Sequence, residues 1–251
     1  GLGDVYKRQG TATQTEVKEQ VDLMYSLIHQ QVDAIVLVPI DSKALVQPVV
    51  EAVRKGVPVI NIDIRLDTQL LEQAGVEVAF VGPDNFAAAY EVGKLLDKKL
   101  RNEDKVAIIE GLAAADNAQQ RKRGFIKAIE EKGLRLVASE PADWETEKAA
   151  EVFQAMWMRY PDLKAVYCSN DAMALGVLQQ MQEKNCYLPV VGFDNDAVMK
   201  EFLSTGKLVA TADIFSSQMA VRGGIEFALD VLEGKIENRG VHSTAYEIIK
   251  Q

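Results

Sequence analysis

The stretch Lys105-Val-Ala-Ile-Ile-Glu110, then the small-residue turn Gly111-Leu-Ala-Ala-Ala115, then Phe125, Ile126 and Ile129 at helical spacing, decides the fold. Its apolar run is continuous. A strand with one wet face alternates apolar and polar residues, whereas a strand covered on both faces does not. A covered strand that turns at once into an amphipathic helix is half of a βαβ unit, and such units build parallel sheets.

The same unit recurs along the chain. Strands are expected at Ala34–Val38, Pro58–Ile62, Val78–Val81, Arg135–Ser139, Ala165–Cys168, Pro189–Phe193 and Leu208–Ala212. Helical stripes lie between them: Val17, Val21, Met24 and Ile28; Val152, Phe153 and Met156; Leu175, Leu178 and Met181; Ile225, Leu229 and Leu232. These stripes are core faces. There are too many strands for one compact sheet. The expected architecture is α/β, with two doubly wound parallel-sheet lobes joined by crossing hinge strands. The lobes are drawn as residues 1–82 plus 214–244 and residues 83–213 plus 245–251, with Asp84, Asn85 and Asp213 at the hinge.

The chain has 251 residues, nearly half of them apolar, and a net charge of −9. That suits two packed cores. The negative charge disfavours nucleic acid and anionic lipid as partners. No apolar run approaches the ~18 residues of a membrane span. No signal peptide is visible, and Gly1–Gln9 read as foreign sequence. Cys168 and Cys186 flank a helix expected near 171–184, whose ends lie ~20 Å apart. That is too far for a disulfide, so two free thiols are expected.

Ligands of open parallel sheets bind beyond the carboxyl ends of the strands. The residues that fall there are Asp63 and Arg65, Asn117 and Arg121, Trp144, Asn170 and Asp171, Phe193 and Asp194. Planar carboxylates, amides and guanidiniums engage neighbouring hydroxyls in pairs, and an aromatic face covers the C–H side of a sugar ring. Each residue also has a plainer reading. Asn170 is as readily a helix cap as a ligand contact, and capping is favoured for Asp171. Asp194 could cap a helix near 196–204, and Asp63 and Arg65 could form a turn salt bridge. Catalytic patterns are thin. His29 and His242 stand apart from any nucleophile, and no phosphate loop, dinucleotide fingerprint or metal spacing occurs. No enzyme, cofactor or metal is expected.

The chain resembles the type I periplasmic solute-binding proteins of sugar ABC transporters, of the ribose-binding kind, over about residues 11–251. The resemblance rests on Val32-Asp-Ala-Ile-Val36, Pro39-Ile-Asp-Ser42, Gly56-Val-Pro-Val-Ile60, Asp63, Asp84-Asn85, Arg121-x-x-Gly124-Phe125 and Pro141-Ala-Asp-Trp144. It continues in Asn170-Asp171-x-Met173-Ala-Leu-Gly176 and Val191-Gly-Phe-Asp194. It implies a sugar or polyol held between lobes that close by a hinge, delivery to a membrane permease, action as a monomer, and a periplasmic or lipid-anchored extracellular location. It implies ligand contacts for Asp63, Arg121, Trp144, Asn170, Phe193 and Asp194. Three positions depart from the family's ribose binders: Val38 replaces an amide, Ile64 an arginine, and Ile214 a glutamine. The family's first strand–helix–strand unit has no counterpart here, so an incomplete first lobe with an exposed strand edge at 34–38 is expected. The alternatives are the effector domain of a lac-repressor-type regulator and the sensing module of a membrane receptor. Leu100-Arg-Asn-Glu-Asp-Lys-Val-Ala107 and Gly206-Lys-Leu-Val-Ala-Thr211 stand where the regulators carry their own motifs, which favours transport.

Overall fold

The computed structural model describes residues 9–250; Gly1–Arg8, most of the segment read as foreign, lie outside them. Among the described residues the strands fall into two sheets. The first is wholly parallel, in the order β1 (Ile35–Leu37), β2 (Val59–Ile62), β3 (Phe80–Pro83), β9 (Val241–Thr244). The second runs β10 (Glu247–Lys250), β8 (Leu208–Asp213), β7 (Val190–Val191), β6 (Ala165–Cys168), β4 (Lys105–Glu110), β5 (Arg135–Pro141). Only β10 is antiparallel there, to β8.

Helices cover both sheets. α1 (Val17–His29), α2 (Val46–Arg54) and α3 (Thr68–Gln73) accompany the first. Met24, Ile28, Val46, Val49 and Leu71 join Ile35, Leu37 and Val59 in its core. The second carries α4 (Asn85–Lys94) packed on α5 (Asp116–Lys132), α6 (Thr146–Arg159) packed on α7 (Asp171–Glu183), and the short α8 (Met199–Ser204). One apolar cluster lies on each of its faces, built around Ile109, Val166 and Met173 and around Ile108, Tyr167 and Phe193. β4 is therefore buried on both sides, as its uninterrupted Val-Ala-Ile-Ile demanded.

The chain changes sheets three times. β3 ends at Pro83 and Asp84 caps α4, its carboxylate accepting from the Ala87 amide at 2.9 Å. After β8 the chain returns through a helix that starts as α9 (Ser216–Gln218), widens to a π-helix over Met219–Glu226 and ends as α10 (Phe227–Leu232). Gly223 and Gly224 let that wide stretch lie on the first sheet: a Cβ would stand 2.6 Å from Val81 Cγ1 at Gly223 and 2.9 Å from Val36 Cγ1 at Gly224. The third change is the step from β9 to β10.

Sequence and structure differ in a few places. The expected strand at Pro189–Phe193 shrinks to Val190–Val191, although the Gly192 amide still donates to Ala210 O at 2.9 Å. The strand placed at Val78–Val81 lies at Phe80–Pro83. β9 and β10 were not expected at all. β1 is an edge strand with Val36 exposed, as anticipated. Cys168 and Cys186 are free thiols.

Candidate functional site

A cleft of about 1110 Å³ opens where the carboxyl ends of both sheets face each other. Val38 and Ile40, which follow β1, and Asp63 and Ile64, which follow β2, line it on the first sheet's side together with Gln20 of α1. The second sheet contributes Asn117 and Arg121 from α5, Trp144 after β5, Asn170 after β6, Asp194–Asp196 after β7, and Asp213–Phe215 after β8. The two sheets also touch directly. The Ser42 amide donates to Ala114 O, and the Asp116 amide donates to Ser42 Oγ, each at 3.0 Å. Ile64, which follows β2, is counted within the core of the second sheet together with Ile109 and Trp144.

Arg121 is the hub. Its side chain is only 3% exposed. Nε donates to Asn85 Oδ1 at 2.9 Å, and one terminal nitrogen donates to Ser169 O at 2.8 Å and to Asp194 Oδ1 at 3.4 Å. The guanidinium lies 3.6 Å from the centroid of the Phe193 ring and 5.5 Å from that of Trp144. Stacking and hydrogen bonding thus fix this cation, the only one lining the cleft among the described residues, beside several carboxylates.

Trp144 reaches the cleft because Gly111 makes room for it. A Cβ at Gly111 would stand 2.1 Å from the indole Cη2. The small-residue turn after β4 is therefore a packing requirement of the indole. Asp143 and Trp144 both have positive φ, and Lys148 pairs with the Asp143 carboxylate. Nine non-glycine residues among those described have positive φ, and five of them, Asp63, Trp144, Asp194, Asn195 and Phe215, line the cleft. Backbone strain concentrates here, as it does at binding sites.

Of Asn170 and Asp171, the first is the cap and the second is not. Asn170 Oδ1 accepts from the Met173 amide at 2.8 Å, so Asn170 caps α7 while still lining the cleft. Asp171 is fully buried and caps nothing. Its carboxylate accepts from the Asp196 amide at 2.9 Å and from the Thr211 hydroxyl at 3.0 Å, pinning the loop after β7 onto β8. Gly192 leaves space for it: a Cβ there would stand 2.0 Å from Asp171 Oδ1. Asp194 does not cap α8, whose N-cap position is Val198.

Burial raises the carboxyls of Asp63, Asp171 and Asp194 above the usual carboxylate range. Burial pushes the Asp63 carboxyl upward against the pull of Arg121. Asp194 is pushed up to about 7, by burial first, with Arg121 opposing and Asp63 and Asp196 adding to the rise. Asp171 is pushed up to about 8 by burial, against the hydrogen bonds from Asp196 and Thr211. Asp63 Oδ1 and Asn117 Oδ1 are buried with no hydrogen-bond partner. Both residues line the cleft, and each of these acceptors has room for a donor.

The remaining expected residues fall elsewhere. Phe193 is fully buried beneath Arg121 and supports it. Arg65 lines a separate cavity of about 460 Å³ with Phe80, 5.5 Å from that ring's centroid. Asp84 caps α4, and Asn85 is buried against Arg121. Asp213 accepts from the Phe215 amide at 2.7 Å and from Asn195 Nδ2 at 3.0 Å. Gln20 was missed. It lines the cleft, donates to Val38 O at 2.7 Å and accepts from the Ile40 amide at 2.9 Å. Among the described residues no group of His, Cys, Asp and Glu side chains could hold a metal ion.

Known proteins match this arrangement. The family described as periplasmic binding protein domain matches residues 2–236, a span that takes in part of the segment set apart as foreign. A D-ribose/D-allose-binding protein of Pseudomonas aeruginosa is 40% identical over 245 residues, covering 96% of this chain and 76% of that protein. An ABC transporter solute-binding protein of Burkholderia multivorans, solved with an unknown ligand represented as α-D-erythrofuranose, superposes with a TM-score of 0.92 at 38% identity, covering 96% of this chain and 86% of the other. A periplasmic solute-binding protein of Actinobacillus succinogenes with bound D-allose gives 0.85 at 32% identity, covering 93% and 84%. The chain spans about two thirds to three quarters of the length of the curated relatives it matches. Sheet order, cleft and comparisons agree: the chain belongs to the periplasmic binding protein domain family, whose members bind solutes for transporters and are not enzymes.

Proposed function

We propose that this protein captures a neutral monosaccharide or polyol in the cleft and presents it to an ABC permease. The observation that carries the reading is the pair of orphaned acceptors, Asp63 Oδ1 and Asn117 Oδ1, at a cleft that also holds Arg121, Asn170, Asp194 and the Trp144 ring. Hydroxyl groups are donors of the right size for both. The names of the relatives, D-ribose and D-allose among them, support the ligand class. Capture works by closure of two lobes divided near residues 82/83, 213/214 and 244/245. Contacts from both sides of the cleft shift the population to the closed form. The protein acts as a monomer outside the cytoplasmic membrane, in the periplasm or on a lipid anchor, without nucleic acid. Thermal-shift and calorimetric titration with D-ribose and D-allose tests this. A saturable rise in melting temperature with either sugar is expected, and no response to a broad panel of sugars and polyols refutes it.

A further inference from the structure

The loop after β7 holds two successive non-glycine residues in the left-handed region, Asp194 at φ 107° and Asn195 at φ 57°. Both line the cleft, as does Asp196 beside them. Such backbone is costly and persists only where its surroundings over-determine it. Two fully buried polar side chains outside the cleft lining, Asp171 and Thr211, hold the loop in place.

Thr211 Oγ1 accepts from the Asn195 amide at 3.1 Å and donates to Asp171 Oδ1 at 3.0 Å. Asp171 Oδ2 accepts from the Asp196 amide at 2.9 Å. Two successive amides of the loop thus end on one hydroxyl–carboxylate pair. The near end of the loop is held by main chain: the Asp194 amide donates to Ala212 O and the Asp171 amide to Phe193 O, each at 2.7 Å. A hydroxyl and a carboxylate buried together are costly unless hydrogen-bonded. Here their bonds serve each other and this loop. With the backbone so held, the Asp194 carboxyl stands 3.4 Å from Arg121 at the cleft.

We infer that Thr211 and Asp171 are positioning residues for ligand binding: without touching the ligand, their hydroxyl–carboxylate pair aims the Asp194 carboxyl into the cleft. This rests on the sugar-binding reading above and deepens it. Thr211→Val keeps the shape and removes the acceptor of the Asn195 amide, while Thr211→Ser keeps the hydroxyl. Calorimetry with D-ribose and D-allose well below the melting temperature reads affinity in folded protein. Thr211→Val is expected to bind about fivefold weaker or more, and Thr211→Ser within about twofold of the parent. A merely structural role would lower the melting temperature of Thr211→Val and leave that affinity unchanged, which overturns the inference while sugar binding stands. Asp194→Ala leaves no carboxyl to aim, so adding Thr211→Val to it should change affinity by less than about twofold. The full fivefold drop persisting in the double variant also overturns the inference. If the parent protein binds neither sugar nor any of the broad panel, the sugar-binding reading falls and this inference with it. Hydrogen exchange tests the clamp without ligand or variant. The Asn195 and Asp196 amides of the parent should exchange at least about tenfold slower than in an unstructured chain, and exchange at the unstructured rate overturns the clamp.

Discussion

Asp194 sits where binding and stability conflict, and Asp194→Asn separates them. In the cleft its carboxyl is pushed up to about 7, mainly by burial, whereas an unfolded aspartate titrates near 3.8. Below about pH 4 both states carry the proton, and the group adds nothing to the pH dependence of stability. Between about 4 and 7 the folded state keeps a proton that the unfolded state releases, so stability falls as pH rises. Above 7 the full penalty is present. At ~1.4 kcal/mol per pH unit, that interval is worth at most about 4 kcal/mol. The effective figure is smaller, since 28% of the Asp194 side chain meets solvent and its contact with Arg121 is lost in the variant. Asparagine keeps the shape and removes the charge, so we expect a gain of ~1–2 kcal/mol at pH 8 and no gain at pH 4. Sugar affinity should drop by more than about tenfold, because a charge-assisted acceptor is replaced by a neutral one. Urea unfolding of both proteins at pH 4, 6 and 8, with calorimetry alongside, measures each quantity. A variant that is less stable than the parent at pH 8 refutes the reasoning, as does a stability difference that ignores pH.

Arg121→Ala leaves Asn85 Oδ1 and Ser169 O without their donor and strips the counter-charge from Asp194. We expect a loss of ~3 kcal/mol in urea unfolding and binding weakened by more than about tenfold, with unchanged affinity for both Arg121→Ala and Asp194→Ala ruling out this site. Gly176→Ala forces a Cβ to within 2.0 Å of Thr146 O between α6 and α7. It should lower stability by ~1–3 kcal/mol, while Gly10→Ala, with nothing within 4 Å, should stay near neutral in the same thermal melts. Ser42→Ala removes the acceptor of the Asp116 amide across the cleft. About fivefold weaker sugar binding with little change in the melting temperature of the empty protein is expected, and equal affinity in calorimetry counts against Ser42 as a closing contact.

The repeating unit was readable because covered strands leave unbroken apolar runs; Lys105–Glu110 and Ala165–Cys168 lie where expected to the residue. β9 and β10 carried no such signal. Val241-His-Ser-Thr and Glu247-Ile-Ile-Lys are short and largely open to solvent, so neither had to be apolar throughout. The strand-end rule brought Asp63, Asn117, Arg121, Trp144, Asn170 and Asp194 to one cleft. It failed for Arg65, which lies in the cavity beside Phe80 while Ile64 takes the place on the cleft. Asp171 was legible as a helix start but not as a loop clamp, since its partners Asp196 and Thr211 lie 25 and 40 residues away. Gln20 was hidden for the same reason, on a helix whose polar face gives no hint of the backbone it holds 18 and 20 residues further on.

Ile64 has a thermal consequence. It follows a strand of the first sheet, is 5% exposed, and is packed into the apolar core of the second. Any parting of the sheets wets that side chain. Wetting apolar surface raises heat capacity, and the drive to keep it dry fades on cooling. The balance between shut and open forms is therefore itself temperature-dependent. Chilling loosens the grip of the second sheet on Ile64, and warming within the stable range tightens it.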